Sequence, residues 1–328
     1  MLRRFLSVAL AMLAALAGTA PVARAQAPER IVFSTDWLAQ AEHGGFYQAV
    51  AEGIYRRHGL DVAVQQGGPQ VNGLQLVAAG RIDVAMGDAL QVLAANGEGV
   101  PLVAIAATFQ KNPTVIITHP GVAALGDLKG KPIAIGAASN TTFWPWLVAR
   151  YGFTDAQKRP YGFSVQPFLA DPQLSQQGFA TSEPFSIEKG GVTPKVFLLA
   201  DLGYPPYSEV LIVSRDMLQK RPALLARFIE ASAEGWKSYL ADPAPGNALI
   251  RKANPQMSDE LLAYGYRKMK EYKLVDGGDA ATHGLLSMTD ARWQATLAFL
   301  REAKLAKPGV DYSKAWTIEL ARDTRVRP

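Results

Sequence analysis

The sequence predicts an α/β protein of two lobes, joined by two crossover strands with a cleft between them, and three observations carry that prediction. Short apolar runs alternate with amphipathic stretches along most of the chain, the pattern of parallel strands with helices packed on a sheet. Two breakers, Gln110-Lys111-Asn112-Pro113 and Tyr204-Pro205-Pro206-Tyr207, bracket one α/β segment inside another. A chain of 328 residues also exceeds what a single core ordinarily supports, so two domains are expected.

The elements follow in order. Ile31–Ser34 reads as a strand, and Phe46, Val50 and Ile54 recur at helical spacing on a helix from about Gly44 to His58, with Arg56 and Arg57 at its basic end. Further strands are expected at Leu60–Val64, Ile82–Met86 and Pro101–Ala107, with helices between them. After the first breaker come strands at Thr114–Ile117 and Pro132–Ile135, a helix at Thr142–Tyr151, and strands at Val165–Phe168 and Val196–Leu199. The strand Val210–Val213 follows the second breaker. From Pro222 the chain is mostly helical, with Leu224, Phe228, Ala231 and Trp236 on one face. The expected division is 26–109 with 207–328 as a discontinuous first lobe and 110–206 as an inserted second lobe. Two linkers make a hinge, and clefts between domains are favoured ligand sites.

The N-terminus reads as a secretory signal. Arg3 and Arg4 precede an apolar stretch from Phe5 to Ala20, and Ala23-Arg24-Ala25 offers the small-x-small cleavage pattern. The apolar stretch is too short for a convincing membrane span. The absence of cysteine leaves no lipid attachment point after the cut and excludes thiol nucleophiles and Cys-ligated metal sites. A free periplasmic protein is therefore expected. Loss of Arg3, Arg4 and Arg24 lowers the formal charge from +5 to +2, and the remaining basic residues form no concentrated patch, so nucleic acid is not an expected partner.

Enzyme motifs are mostly missing: the phosphate-binding loop, the dinucleotide glycine pattern and the nucleophile elbow are absent. The four histidines are too far apart for a short metal-binding motif. No metal, cofactor or catalytic residue is nominated. What stands out is aromatic and polar residues at strand ends. Asp36-Trp37 closes the first strand where an open sheet meets a cleft, His43 precedes the first helix, and Asp88 closes the third strand. Asn140 and Thr141 lie in a polar run before a helix bearing Trp144 and Trp146, either of which can face the cleft; Trp144 is the choice made here. Glu183 follows another apparent strand, and Tyr207 sits in the return crossover. Each has a plain structural alternative: core packing for the tryptophans, a turn or cap for Asp36, Asp88 and Asn140–Thr141, an ion pair for Glu183.

The order of these residues resembles a known family. Asp36-Trp37, His43 and Phe46-Tyr47, then Gly53-Ile54-Tyr55 and Gly59-Leu60-Asp61-Val62, resemble the opening of the NMT1/THI5-like family of periplasmic binding proteins. Gln176–Pro184 and Phe197–Tyr204 are similar to its second-lobe signature. The resemblance implies a type II periplasmic-binding-protein fold and, as partners, a small solute and an inner-membrane ABC permease with its ATPase, served by a monomer. Family ligands include thiamine-precursor pyrimidines, riboflavin, sulfonates, nitrate and aromatic acids. The opening is most similar to the pyrimidine-binding branch, where a carboxylate at the position of Glu183 accepts from an aminopyrimidine. A fungal branch comprises enzymes that need a pyridoxal-phosphate lysine shortly after the third strand, where Gly87 stands here, and a cysteine cluster that this chain lacks. The expected role is solute capture, with Trp37 and Trp144 stacking on a planar heteroaromatic and Asp36 or Glu183 accepting from it. An anionic solute is the competing expectation.

Overall fold

In the computed structural model the described residues are 27–68, 71–322 and 324–328; the expected signal peptide lies outside them. Among the described residues ten strands form two sheets. β1 (Glu29–Ser34), β2 (Leu60–Gln65), β3 (Val84–Gly87), β4 (Leu102–Phe109) and β10 (Ser208–Ser214) make the first, in the order β2-β1-β3-β10-β4. β5 (Thr114–Thr118), β6 (Ile133–Ile135), β7 (Lys158–Pro160), β8 (Ser175–Phe179) and β9 (Lys195–Leu198) make the second, in the order β7-β6-β8-β5-β9. The two sheets repeat one plan. Each has parallel pairs at one side and one antiparallel strand next to the far edge. That antiparallel strand, β5 or β10, is the first one after a crossover from the other sheet.

Two local differences from the sequence reading have simple causes. The expected helix Gly44–His58 is split into Gly44–Ala51 and Ile54–Arg57 by Gly53, whose φ of 67° is left-handed and free of penalty only in glycine. Val165–Phe168 is not a strand: Gln166–Ala170 is a short helix with Pro167 in its first turn. Proline has no N–H for a sheet ladder, and a first helical turn needs none.

The helix Gly44–Ala51 sets the geometry at the end of β1 because it packs unusually close to the helix Pro222–Ala241. A Cβ at Gly45 would lie 2.2 Å from the Trp236 ring, and one at Gly235 would lie 2.3 Å from the Gly45 carbonyl. Around this contact Phe33, Phe46, Phe228, Trp236 and Tyr239 are fully buried, each worth roughly 1.5–3 kcal/mol of apolar burial. The turn carrying Asp36 to His43 is thus fixed between a strand end and a rigid helix pair.

At the crossovers the two sheets are tied together. Lys111 and Asp201, one from each crossover, pair at 2.5 Å. Arg292 donates to the Pro205 carbonyl at 3.0 Å and also to the Gln110 carbonyl, and its guanidinium lies 4.1 Å from the Tyr207 ring centroid. No helix among the described residues is long and apolar enough to cross a membrane.

Candidate functional site

A cavity of about 400 Å³ lies between the sheets, lined from the first by Asp36, Trp37, Gln40, Glu42, His43 and Glu209. After β1, Thr35 donates its hydroxyl to the Trp37 carbonyl at 2.6 Å and accepts from the Gly67 amide at 3.1 Å, fixing the backbone that presents Asp36 and Trp37. His43 is buried at the start of its helix. Its Nδ1 accepts from the Gln40 amide at 3.4 Å, which places the ring proton on Nε2, 3.1 Å from Asp36 Oδ1. In that tautomer the ring N–H donates to Asp36.

The second sheet contributes Tyr161, Phe163, Val165, Gln177, Gly178, Phe179, Ser182, Glu183 and Ser186. Glu183, the first residue of the helix Glu183–Lys189, accepts from Tyr161 Oη at 2.8 Å, the Phe179 amide at 2.7 Å and Ser182 Oγ at 2.6 Å. Three of its roughly four acceptor positions are filled. Phe163 holds a left-handed φ of 57° and is 53% exposed; its ring meets Trp37 across the cleft at 4.7 Å between centroids. Thr181 also reaches across, donating to Glu42.

Of the nine residues singled out from sequence, Asp36, Trp37, His43 and Glu183 line this cavity together. Thr141 lines a neighbouring groove that shares Asp36. Trp144 does not face Trp37: it is buried against Phe153, donates to Asp155 at 2.9 Å, and with Asn140 borders a different groove beside Lys158. The ring opposite Trp37 is Phe163. Asp88 caps the helix Ala89–Gly97, accepting from the Leu90 amide at 2.8 Å; burial pushes its carboxyl up to about 7. Tyr207 is fully buried at the return crossover, its hydroxyl donating to Asp279 and accepting from the Thr289 amide at 3.0 Å.

Two carboxylates that sequence reasoning passed over complete the site. Glu42 is 2% exposed, and burial raises its pKa against the Thr181 hydrogen bond. Glu209 is 3% exposed, and its Oε2 has no hydrogen-bond partner. Its φ of 54° costs on the order of 1–2 kcal/mol for a residue with a Cβ and aims the side chain into the cleft. Burial first, and then Asp36, Glu42 and Asp88 nearby, hold the Glu209 carboxyl well above the usual carboxylate range. Asp36, His43 and Glu209 bring one ligand atom each within 4.8 Å of one another. A sequence signal for Glu209 existed: it is the lone charge in the run Ser208–Val213. Phe163 carried none.

Residues 40–245 match the family described as NMT1/THI5 like. The chain belongs to the NMT1/THI5-like family. One NMT1/THI5-like relative is the riboflavin-binding protein RibY of Chloroflexus aurantiacus, 24% identical over 93% of this chain and 90% of that protein. Another is the 4-amino-5-hydroxymethyl-2-methylpyrimidine phosphate synthase THI11 of Saccharomyces cerevisiae, 22% identical over 74% and 77%. The fold is that of the periplasmic aliphatic sulphonate binding protein SsuA of Escherichia coli, with a TM-score of 0.67 at 14% identity over 88% of this chain and 92% of that one. The expected type II periplasmic-binding-protein fold is thereby shown. Pyridoxal phosphate, which the synthase branch of the family implies, does not fit this cavity. Among the described residues no lysine lines it, and its acidic lining offers a phosphate no cation.

Proposed function

We propose that this chain is the solute-capturing component of an ABC importer, working outside the cytoplasmic membrane and not as an enzyme. Lobe one, 26–109 with 207–328, and lobe two, 110–206, close on a small planar heteroaromatic solute and present the closed form to an inner-membrane permease and its ATPase. The observation that carries the ligand class is the lining of the cavity: Trp37 and Phe163 supply aromatic faces, while Asp36, Glu42, Glu183 and Glu209 supply acceptors with no arginine or lysine among them. A sulfonate, nitrate or carboxylate would meet acidic groups and no cation there. A ring bearing N–H donors meets acceptors whose desolvation it offsets, and an analogue without those donors leaves them unpaired. A cavity of about 400 Å³ suits a solute of pyrimidine to flavin size. Asp36, Trp37, His43 and Glu183 form the direct contacts. Thr141 borders the entrance; Asn140, Asp88, Trp144 and Tyr207 keep the surrounding elements in place.

A thermal-shift screen of the purified protein tests this reading, after partial unfolding and refolding to strip carried-over ligand. Aminopyrimidines, flavins, nucleobases, alkyl sulfonates and nitrate form the panel. Solute at 100 times its dissociation constant should stabilise by about 2.7 kcal/mol. A shift confined to the heteroaromatics supports the reading, and a shift confined to the anions overturns it.

A further inference from the structure

Glu209 is the acceptor of the cavity whose role the direct contacts leave undefined. It is a carboxylate on the return strand β10, held in a left-handed backbone conformation, 97% removed from solvent by its 3% exposure, with one oxygen unpartnered. The groups around it come from three other elements: Asp36 after β1, Glu42 and His43 in the turn Ala41–His43, and Asp88 after β3. None is a lysine or an arginine. His43 presents its Nε2–H to Asp36 as a donor, because its Nδ1 accepts the Gln40 amide. Two facing carboxylates without a cation can share the space only by keeping a proton. The same tautomer argues against a resident metal, since a metal-bound Nε2 would turn a protonated Nδ1 toward the Gln40 N–H, where a ligating histidine ordinarily has an acceptor.

We propose that Asp36 and Glu209 form a cation subsite at the floor of the cleft, taking a protonated amine or amidinium of the solute in exchange for the Glu209 proton. The inference rests on the solute-binding reading and narrows it from heteroaromatics in general to those bearing a cationic donor. The exchange balances: protonated protein plus cation gives the complex plus one proton released to buffer. Affinity for a cation therefore rises with pH, by up to about tenfold per unit, while Glu209 remains protonated in the free protein.

Benzamidine and benzamide, of the same shape but different charge, make the test. Both are titrated calorimetrically into the purified protein at pH 7.5, in two buffers of different ionisation enthalpy, alongside zinc chloride alone. Benzamidine should bind at least about tenfold more tightly than benzamide, since hydrogen bonds to charged groups contribute most, and should release close to one proton. In Glu209→Gln the preference should fall toward unity and the proton release should vanish. Trp37→Ala should weaken both probes alike and leave their ratio intact; if it weakens neither, the stacking part of the proposed function fails and the subsite stands. Equal binding of the two probes, an unchanged ratio in Glu209→Gln, or no benzamidine binding at about 10 mM would overturn the subsite. So would tight zinc binding lost in His43→Gln, which would make the trio a metal site.

Discussion

Glu183 and Glu209 line the same cavity from opposite sheets, and the molecule treats them in opposite ways. Glu183 begins a helix and accepts from Tyr161, Phe179 and Ser182, so its charge is compensated from within the protein. Glu209 is the lone charge in the strand Ser208–Ser214, keeps an oxygen without a partner, and is surrounded by Asp36, Glu42 and Asp88. The first arrangement stabilises the fold and leaves about one acceptor position for a ligand; the second leaves a larger need that a ligand can meet. Hydrogen-bond saturation, more than burial or charge, separates a carboxylate that is mainly structural from one set aside for binding.

Stability measurements can break that comparison most decisively. Glu183→Ala strands three donors and should cost about 1–3 kcal/mol in denaturant unfolding. Glu209→Gln keeps a donor toward Asp36 in place of the protonated carboxyl and should change stability by less than about 0.5 kcal/mol at pH 5; a large loss would mean that Glu209 is structural after all. The next effect is affinity: Trp37→Ala should weaken heteroaromatic solutes about tenfold by calorimetry, and unchanged affinity would remove Trp37 from the site.

The smallest effect is in pH dependence, and its sign follows from the direction of the shift. The folded Glu209 carboxyl lies above its ordinary value of 4.5, so the folded state holds the proton more tightly. The stability it contributes is complete below that ordinary value and drains away as pH rises toward the folded value. Melting temperature should fall less steeply above pH 5 in Glu209→Gln than in the parent. Asp88→Asn, which keeps the helix cap, should flatten the same curve between pH 3.8 and about 7. Identical slopes in parent and variants would contradict both assignments.

The alternation of apolar runs with breakers near 110 and 206 made the two-sheet layout legible, because buried parallel strands are continuous apolar runs. Val165–Phe168 failed for the same reason: a short apolar run does not distinguish strand from helix, and the proline inside it decided the matter. Asp36, Trp37 and His43 were legible as a cluster because they follow one strand and precede one helix. The placement of Trp144 was not, since it shares a short helix with Trp146 and both are buried, Trp144 against Phe153 and Trp146 against Tyr204. Glu209 and Phe163 depend on left-handed backbone at non-glycine residues, which no side-chain pattern announces. The missed contacts come from segments distant in sequence, which only the folded chain brings together.

The most direct test is to identify what the protein carries through a purification without refolding. Protein prepared from cells in rich medium would be denatured, and the released small molecules identified by mass spectrometry. The account predicts a planar heteroaromatic bearing an amine or amidine, at close to one molecule per chain, and its depletion in Trp37→Ala and Glu209→Gln. A sulfonate, a nitrate or a carboxylic acid released in that amount would contradict it.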